Sequence, residues 1–186
     1  MKKFELTNEF ITNMFGTKLF RIRALVEFGD VEAGELGGYV EKESNLGHDD
    51  NAWVYDNAWV YGDAQVSGDA RVYDNAWVYG DAQVSGDALV YGNARVYGDA
   101  RVCGNGDYAY AHGFGSVNRT TTFFRLKDGG VGVRCGCFYG TLAQFRDKIR
   151  ETHGESAIAE EYLDLAALME KRFRRTGNEQ KTEEES

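Results

Sequence analysis

Valine recurs at every sixth position from Val54 to Val102, and each valine has an alanine two residues before it. Between and after these small apolar residues stand aromatic or polar ones, and each unit closes on a pair drawn from Gly, Asp and Asn. The nine units are NAWVYD, NAWVYG, DAQVSG, DARVYD, NAWVYG, DAQVSG, DALVYG, NARVYG and DARVCG. Side chains alternate across an extended strand, so Ala and Val face one side and the intervening residues the other. Gly, Asn and Asp tolerate a sharp corner best. Each hexad is therefore a short straight wall with a corner, and three walls close one coil. Residues 56–73 return at 74–91 with changes only at Arg71 and Leu89, so the coil is 18 residues long. A fixed short period is the mark of a solenoid, in which each unit buries its apolar side against its neighbours. The pattern predicts a mainly β chain with a parallel β-helix over 51–115.

The same period assigns the outward residues to three faces. The first carries Trp59, Trp77 and Arg95 beside Tyr61, Tyr79 and Tyr97. The second carries Trp53, Arg71 and Leu89 beside Tyr55, Tyr73 and Tyr91. The third is lean and polar, with Gln65, Gln83 and Arg101 beside Ser67, Ser85 and Cys103. Aromatic rows repeated at about 4.8 Å present more contiguous apolar area than a soluble monomer usually leaves open. The nine residues Trp53, Trp59, Trp77, Tyr55, Tyr61, Tyr73, Tyr79, Tyr91 and Tyr97 are thus expected at an interface. Either other subunits of a homotrimer or segments of the same chain cover them.

Stacked coils need caps at both ends. Upstream, residues 1–50 supply a strand within Lys18 to Phe28 and an imperfect coil, GELGGYVEKESNL, with Val40 and Leu46 six apart. The step from Leu46 to Val54 is eight, so two extra residues bulge around His48, Asp49 and Asp50. Downstream, Tyr108 stands where the next valine belongs and Gly106 replaces the alanine, which ends the narrow prism. Residues 116–175 follow a different pattern. TTTFFRL and VGVRCGCFY read as two strands about the Asp128-Gly129-Gly130 turn. Thr141 with Gln144 forms a capping box opening a helix that Gly154 closes. Ile158, Tyr162, Leu165, Met169 and Phe173 mark a second helix. Residues 176–186 read as a disordered acidic tail.

The net charge of −9 offers no basic stripe to a nucleic acid. No stretch approaches the ~20 apolar residues of a membrane span, and the first residues lack the apolar core of a signal peptide. Three cysteines at unmatched spacings fit a reducing, cytoplasmic compartment. No cofactor is implied.

Candidate chemistry lies mostly outside the repeats. If the strand runs through Cys135-Gly136-Cys137, both thiols share a face and could ligate zinc with His153 or Cys103. That face also carries Val131, Val133 and Tyr139, which favours burial. The opposite face is stripped by Gly130, Gly132 and Gly136. Arg119, Arg125 and Arg134 could meet a small anion or a partner's carboxylate there, or another element could pack on the glycines. The corner column Asp63, Asp81 and Asp99 invites a cation, with a solvated turn as the plainer reading. His153 suits the carboxyl end of a helix dipole. Ser116 has no base near it in sequence and is no nucleophile candidate.

The hexads resemble the hexapeptide repeat of left-handed parallel β-helices, and the expected handedness comes from that resemblance. ELGGYVEKESNL, the VYGDA/VYGNA units, TTFFRLKDGG and VRCGCFYGTLAQFRDKIRETHG together resemble uncharacterised phage and prophage β-helix proteins with a C-terminal α+β cap. That resemblance implies a small accessory protein and supplies no reaction. The expected function is a non-enzymatic binding or assembly module with a protein partner, such as a host defence component. One alternative is a sponge for a small anionic ligand such as a signalling nucleotide, at Arg119, Arg125, Gly132, Arg134 and Gly136. Another is an acyltransferase, the commonest enzymatic use of such helices. Its resemblance requires a catalytic histidine at a subunit boundary, but the nine hexads contain none, and only His48 and His112 flank them.

Overall fold

The computed structural model describes residues 2–115 and 117–184, with side chains through Thr176. The chain divides into two compact units, Met1–Asn105 and Gly106–Ser186.

The first unit opens with β1 (Phe4–Thr12), β2 (Lys18–Ala24) and β3 (Leu36–Val40). Nine two-residue strands follow: β4 (Trp53–Val54), β5 (Trp59–Val60), β6 (Gln65–Val66), β7 (Arg71–Val72), β8 (Trp77–Val78), β9 (Gln83–Val84), β10 (Leu89–Val90), β11 (Arg95–Val96) and β12 (Arg101–Val102). They stack in parallel as three walls, β5-β8-β11, β4-β7-β10 and β6-β9-β12. Registers such as Trp59↔Trp77 and Trp77↔Arg95 confirm the 18-residue coil. The protein is mainly β, with a parallel β-solenoid of about four turns and two C-terminal helices.

The interior follows from the hexad. Every alanine from Ala52 to Ala100 and every valine from Val54 to Val102 in the repeat is buried. Such small side chains fill a narrow prism without voids. Corners take left-handed backbone at Gly62, Gly68, Gly80, Gly86, Gly92 and Gly98, and also at Asp56 and Asp74, with φ of 51° and 59°. Those two aspartates use their carboxylates: Asp56 accepts the Asp74 N–H at 3.3 Å, and Asp74 accepts the Gly92 N–H at 2.9 Å. Each corner thereby ties one coil to the next.

The imperfect first coil is complete. Tyr39 and Val40 pair with Trp59 and Val60, and Leu46 bridges Val66. Antiparallel β1 and β2 then extend the first wall into a six-stranded sheet, β1-β2-β3-β5-β8-β11. Asn45, wholly buried, donates its amide to the carbonyls of Gly62 (3.1 Å) and Ala64 (2.8 Å) where the coil bulges.

The second unit is a four-stranded antiparallel sheet of β13 (Tyr108–Phe114), β14 (Arg119–Arg125), β15 (Val131–Cys135) and β16 (Phe138–Thr141), with α1 (Leu142–His153) and α2 (Ala157–Glu184). The solenoid was expected to reach residue 115, but Tyr108 to Phe114 pairs with β14 and belongs to this sheet. Phe123 and Val133 of the sheet pack with Phe145 and Ile149 of α1 and with Tyr162, Leu165 and Phe173 of α2. The capping box forms: Thr141 Oγ1 accepts the Gln144 N–H and Gln144 Oε1 accepts the Thr141 N–H. The tail expected to be disordered over residues 176–186 instead continues α2 as helix through Glu184. Ser116 and the side chains from residue 177 onward lie outside the described residues.

Candidate functional site

The first wall builds one continuous surface from three columns. Tyr39, Trp59, Trp77 and Arg95 follow one another in strand register. The Trp59 and Trp77 rings stack at 4.4 Å and 8°, and the Arg95 guanidinium lies 4.3 Å over Trp77. Beside them Tyr61 and Tyr79 stack at 4.9 Å, and Tyr97 lies tilted by 32° against Tyr79 at 4.5 Å. The third column is Asn57, Asn75 and Asn93, all exposed, at the corner leading into the wall. The tryptophan and asparagine columns, together with Ile11, line a groove of about 460 Å³. Stacking immobilises the rings before any partner arrives, so little side-chain entropy remains to be lost on contact. Each amide offers both a donor and an acceptor, repeated once per coil.

The other aromatic wall is divided. Trp53, expected at an interface, is fully buried, because Phe28 and Phe4 set their rings edge-on to it at 5.3 and 6.2 Å. Its own chain supplies the cover. Tyr61 is likewise covered, by Leu19 and Tyr39. Tyr55 donates to Asp30 at 3.0 Å, and Arg71 meets the same carboxylate at 2.8 Å. Burial, together with the Asp30 charge, holds the Tyr55 phenol above its ordinary range. Tyr73 and Tyr91 stack at 5.5 Å, and Tyr91 is 41 % exposed.

The expected arginine and glycine face of the second unit is not a single site. Arg125 is committed to the Phe173 carbonyl at 2.9 Å, to Thr176 Oγ1 at 3.1 Å and to Asp107. Arg134 donates to the carbonyls of Cys137 (3.2 Å) and Phe138 (3.5 Å), bracing the turn between β15 and β16. Gly132 is covered by its own sheet rather than by a helix. The Phe124 ring would lie 2.5 Å from a Cβ there, so a neighbouring strand's side chain folds over the bare backbone. Gly136 is similarly overlain by the Arg119 guanidinium.

Cys135 and Cys137 do not share a face. Gly136 has a φ of 59° and opens a two-residue hairpin in which Cys135 pairs with Phe138, a position that favours glycine. Cys135 is buried and Cys137 exposed. Among the described residues no cluster of three or more His, Cys, Asp or Glu could hold a metal ion. In the aspartate corner column, Asp63 pairs with Lys42 at 2.7 Å, which holds its carboxyl below the usual range. His48 stacks on Phe4 at 4.4 Å and accepts the Lys3 N–H, while His112 contacts Thr120 Oγ1 at 2.9 Å. His153 stacks on Tyr162 at 6.0 Å. No described helix is long and apolar enough to cross a membrane.

The family model described as YdcK Beta solenoid repeat matches residues 64–80 and 82–98. The chain is a β-solenoid repeat protein. Both matched segments lie within the regular coils, and they share the 18-residue offset read from the valines. The solenoid's N-terminal sheet and the second unit fall outside the match. No curated protein matches the chain.

Proposed function

We propose that the protein is a non-enzymatic binding and assembly module, and that its contact surface is the groove of the first wall. The observation that carries this reading is the three-rung column Asn57, Asn75 and Asn93 beside the ordered Trp59, Trp77 and Arg95 stack. Its rungs repeat once per coil, at the spacing of neighbouring strands, about 4.8 Å. A partner with the same repeat meets every rung with the same contact, and the partner that has it by construction is a second copy of this solenoid. The assembly in this reading is a homotrimer joined along this wall, with Tyr73 and Tyr91 left to engage a different protein. The resemblance to phage and prophage β-helix proteins points to a host component, such as part of a defence system, in the bacterial cytoplasm.

The test is sedimentation equilibrium on the wild type and on Asn75→Lys, with capture from bacterial lysate on the same samples. Three times the chain mass for the wild type, reduced to the monomer mass by Asn75→Lys, supports the reading. A monomeric wild type that captures no protein overturns it. Turnover of acyl-CoA that His48→Ala or His112→Ala abolishes would replace it with the acyltransferase alternative.

A further inference from the structure

The second unit holds a separate, partly open cavity of about 250 Å³ between its sheet and its helices. Three apolar side chains wall it: Phe138 from β16, with Phe145 and Ile149 from α1. Phe138 and Phe145 lie 5.4 Å apart, and Phe145 meets Tyr162 edge-on at 5.9 Å, so the walls are rigid aromatic surfaces. Three basic side chains reach the same space: Arg119, Lys148 and His153.

What distinguishes this cluster is how little of its charge is used. The Arg119 side chain makes no hydrogen bond or ion pair with another described residue, in contrast to those of Arg125 and Arg134. Its guanidinium lies where a Gly136 side chain would begin, so the glycine seats it at the cavity. Among the described residues Lys148 pairs only with Glu151, one helical turn along, and the pair is exposed on both sides. Such a pair contributes little. The acid nearest in sequence to Tyr162, Glu161, is engaged by the Gly115 N–H at 2.7 Å. A basic rim over aromatic and aliphatic walls calls for a ligand with an acidic end and an apolar body.

Size narrows the class. Pockets for drug-sized ligands start at about 300 Å³, so this cavity suits one ring or one branched acyl chain. We infer that the second unit binds a small organic carboxylate, its acid group at Arg119, Lys148 and His153 and its body against Phe138, Phe145 and Ile149. The site is independent of the groove on the solenoid and stands whether or not that groove assembles the protein.

Fluorine NMR titration of the full chain tests this with four probes: 4-fluorobenzoate, 4,4,4-trifluoro-3-methylbutanoate, 4-fluorobenzylamine and fluorobenzene. At least one of the two carboxylates is expected to bind saturably and, in a parallel proton–carbon methyl spectrum of the protein, to shift the Ile149 resonances. Arg119→Gln is expected to weaken that binding about 10-fold or more, as loss of a charge-assisted contact does. Lys148→Gln, at an exposed helical position, serves as a second variant and should weaken it in the same direction. The inference is overturned if neither carboxylate saturates by roughly 20 mM, a limit weaker than any useful affinity. It is equally overturned if the amine or fluorobenzene binds as tightly as the acids, or if both variants bind them unchanged.

Discussion

The Lys3 ammonium lies 2.8 Å from the carbonyl oxygen of Ala52 and 2.9 Å from that of Asp50. One coil later the equivalent carbonyls, of Ala70 and Gly68, receive the backbone N–H groups of Trp53 and Asn51. The first coil has no coil beneath it, and a lysine side chain stands in for the missing backbone donors. Lys3 is 2 % exposed, pairs with Asp50 at 3.1 Å and lies over the Phe28 ring. Burial lowers its pKa, and the Asp50 carboxylate only partly opposes that.

Replacing this lysine therefore strands several buried groups at once. Lys3→Met, which keeps the aliphatic stem, is expected to cost about 2–4 kcal/mol, the range for leaving buried partners unpaired. Denaturant unfolding followed by tryptophan fluorescence measures it, with the buried Trp53 reporting on this region. A loss below about 0.5 kcal/mol would mean that water serves the edge as well as the lysine does.

Asp74 separates two corner effects. Its backbone has a φ of 59° and its carboxylate accepts the Gly92 N–H. Asp74→Ala keeps a Cβ in the left-handed region and loses the bond, for a cost of about 1–2 kcal/mol. Asp74→Gly loses the bond but relieves the backbone, and should stay within about 0.5 kcal/mol of wild type. Thermal unfolding of the two variants side by side checks the order.

The three thiols should differ sharply in reactivity. Cys103 and Cys137 are exposed, whereas Cys135 is buried and accepts the Thr121 hydroxyl at 3.1 Å. An aromatic disulfide reagent is expected to label two thiols in the folded protein and the third only on unfolding. Cys135→Ser should abolish the slow phase and leave the fast one intact.

Tyr162 gives a pH signature. Burial, then the neighbouring Cys135, raises its pKa to about 12. In the unfolded chain a tyrosine titrates near 10, so the folded state binds more protons between the two values. The stability from this group is complete below pH of about 10 and is lost as pH rises through about 12. A difference titration at the phenolate absorbance, wild type against Tyr162→Phe, should show one tyrosine ionising in that upper window.

The solenoid was legible because its physics is local and repeated: Ala and Val must point inward in every hexad. What escaped the pattern lay in tertiary cover and in broken periodicity. Trp53 and Trp59 stand in the same Ala-Trp-Val context, yet one is fully buried and the other only partly buried. The rings of Phe4 and Phe28, far away in sequence, cover the first. β1 was missed because its register shifts between Leu6 and Phe10, which breaks the strict alternation expected of a strand. The Gly136-Cys137 turn was hidden inside an apparent strand, although a two-residue loop with glycine first is a hairpin signal. Among the candidate arginines, sequence could not separate Arg119 from Arg125 and Arg134. Backbone carbonyls, which every residue carries, are among the partners that occupy the latter two.

The near-identity of residues 56–73 and 74–91 has a consequence for how this protein can change over generations. Three hexads bring the chain back to the same wall, so gaining or losing 18 residues alters the height of the stack by one strand spacing, about 4.8 Å. Tryptophan still falls on tryptophan, asparagine on asparagine, and the lysine at the first edge never notices. Gaining or losing six residues instead turns everything downstream by a third of a revolution, setting aromatic residues on the lean wall. Stack height is thus a dial that recombination between repeats can turn in whole clicks, while the identity of each wall resists it.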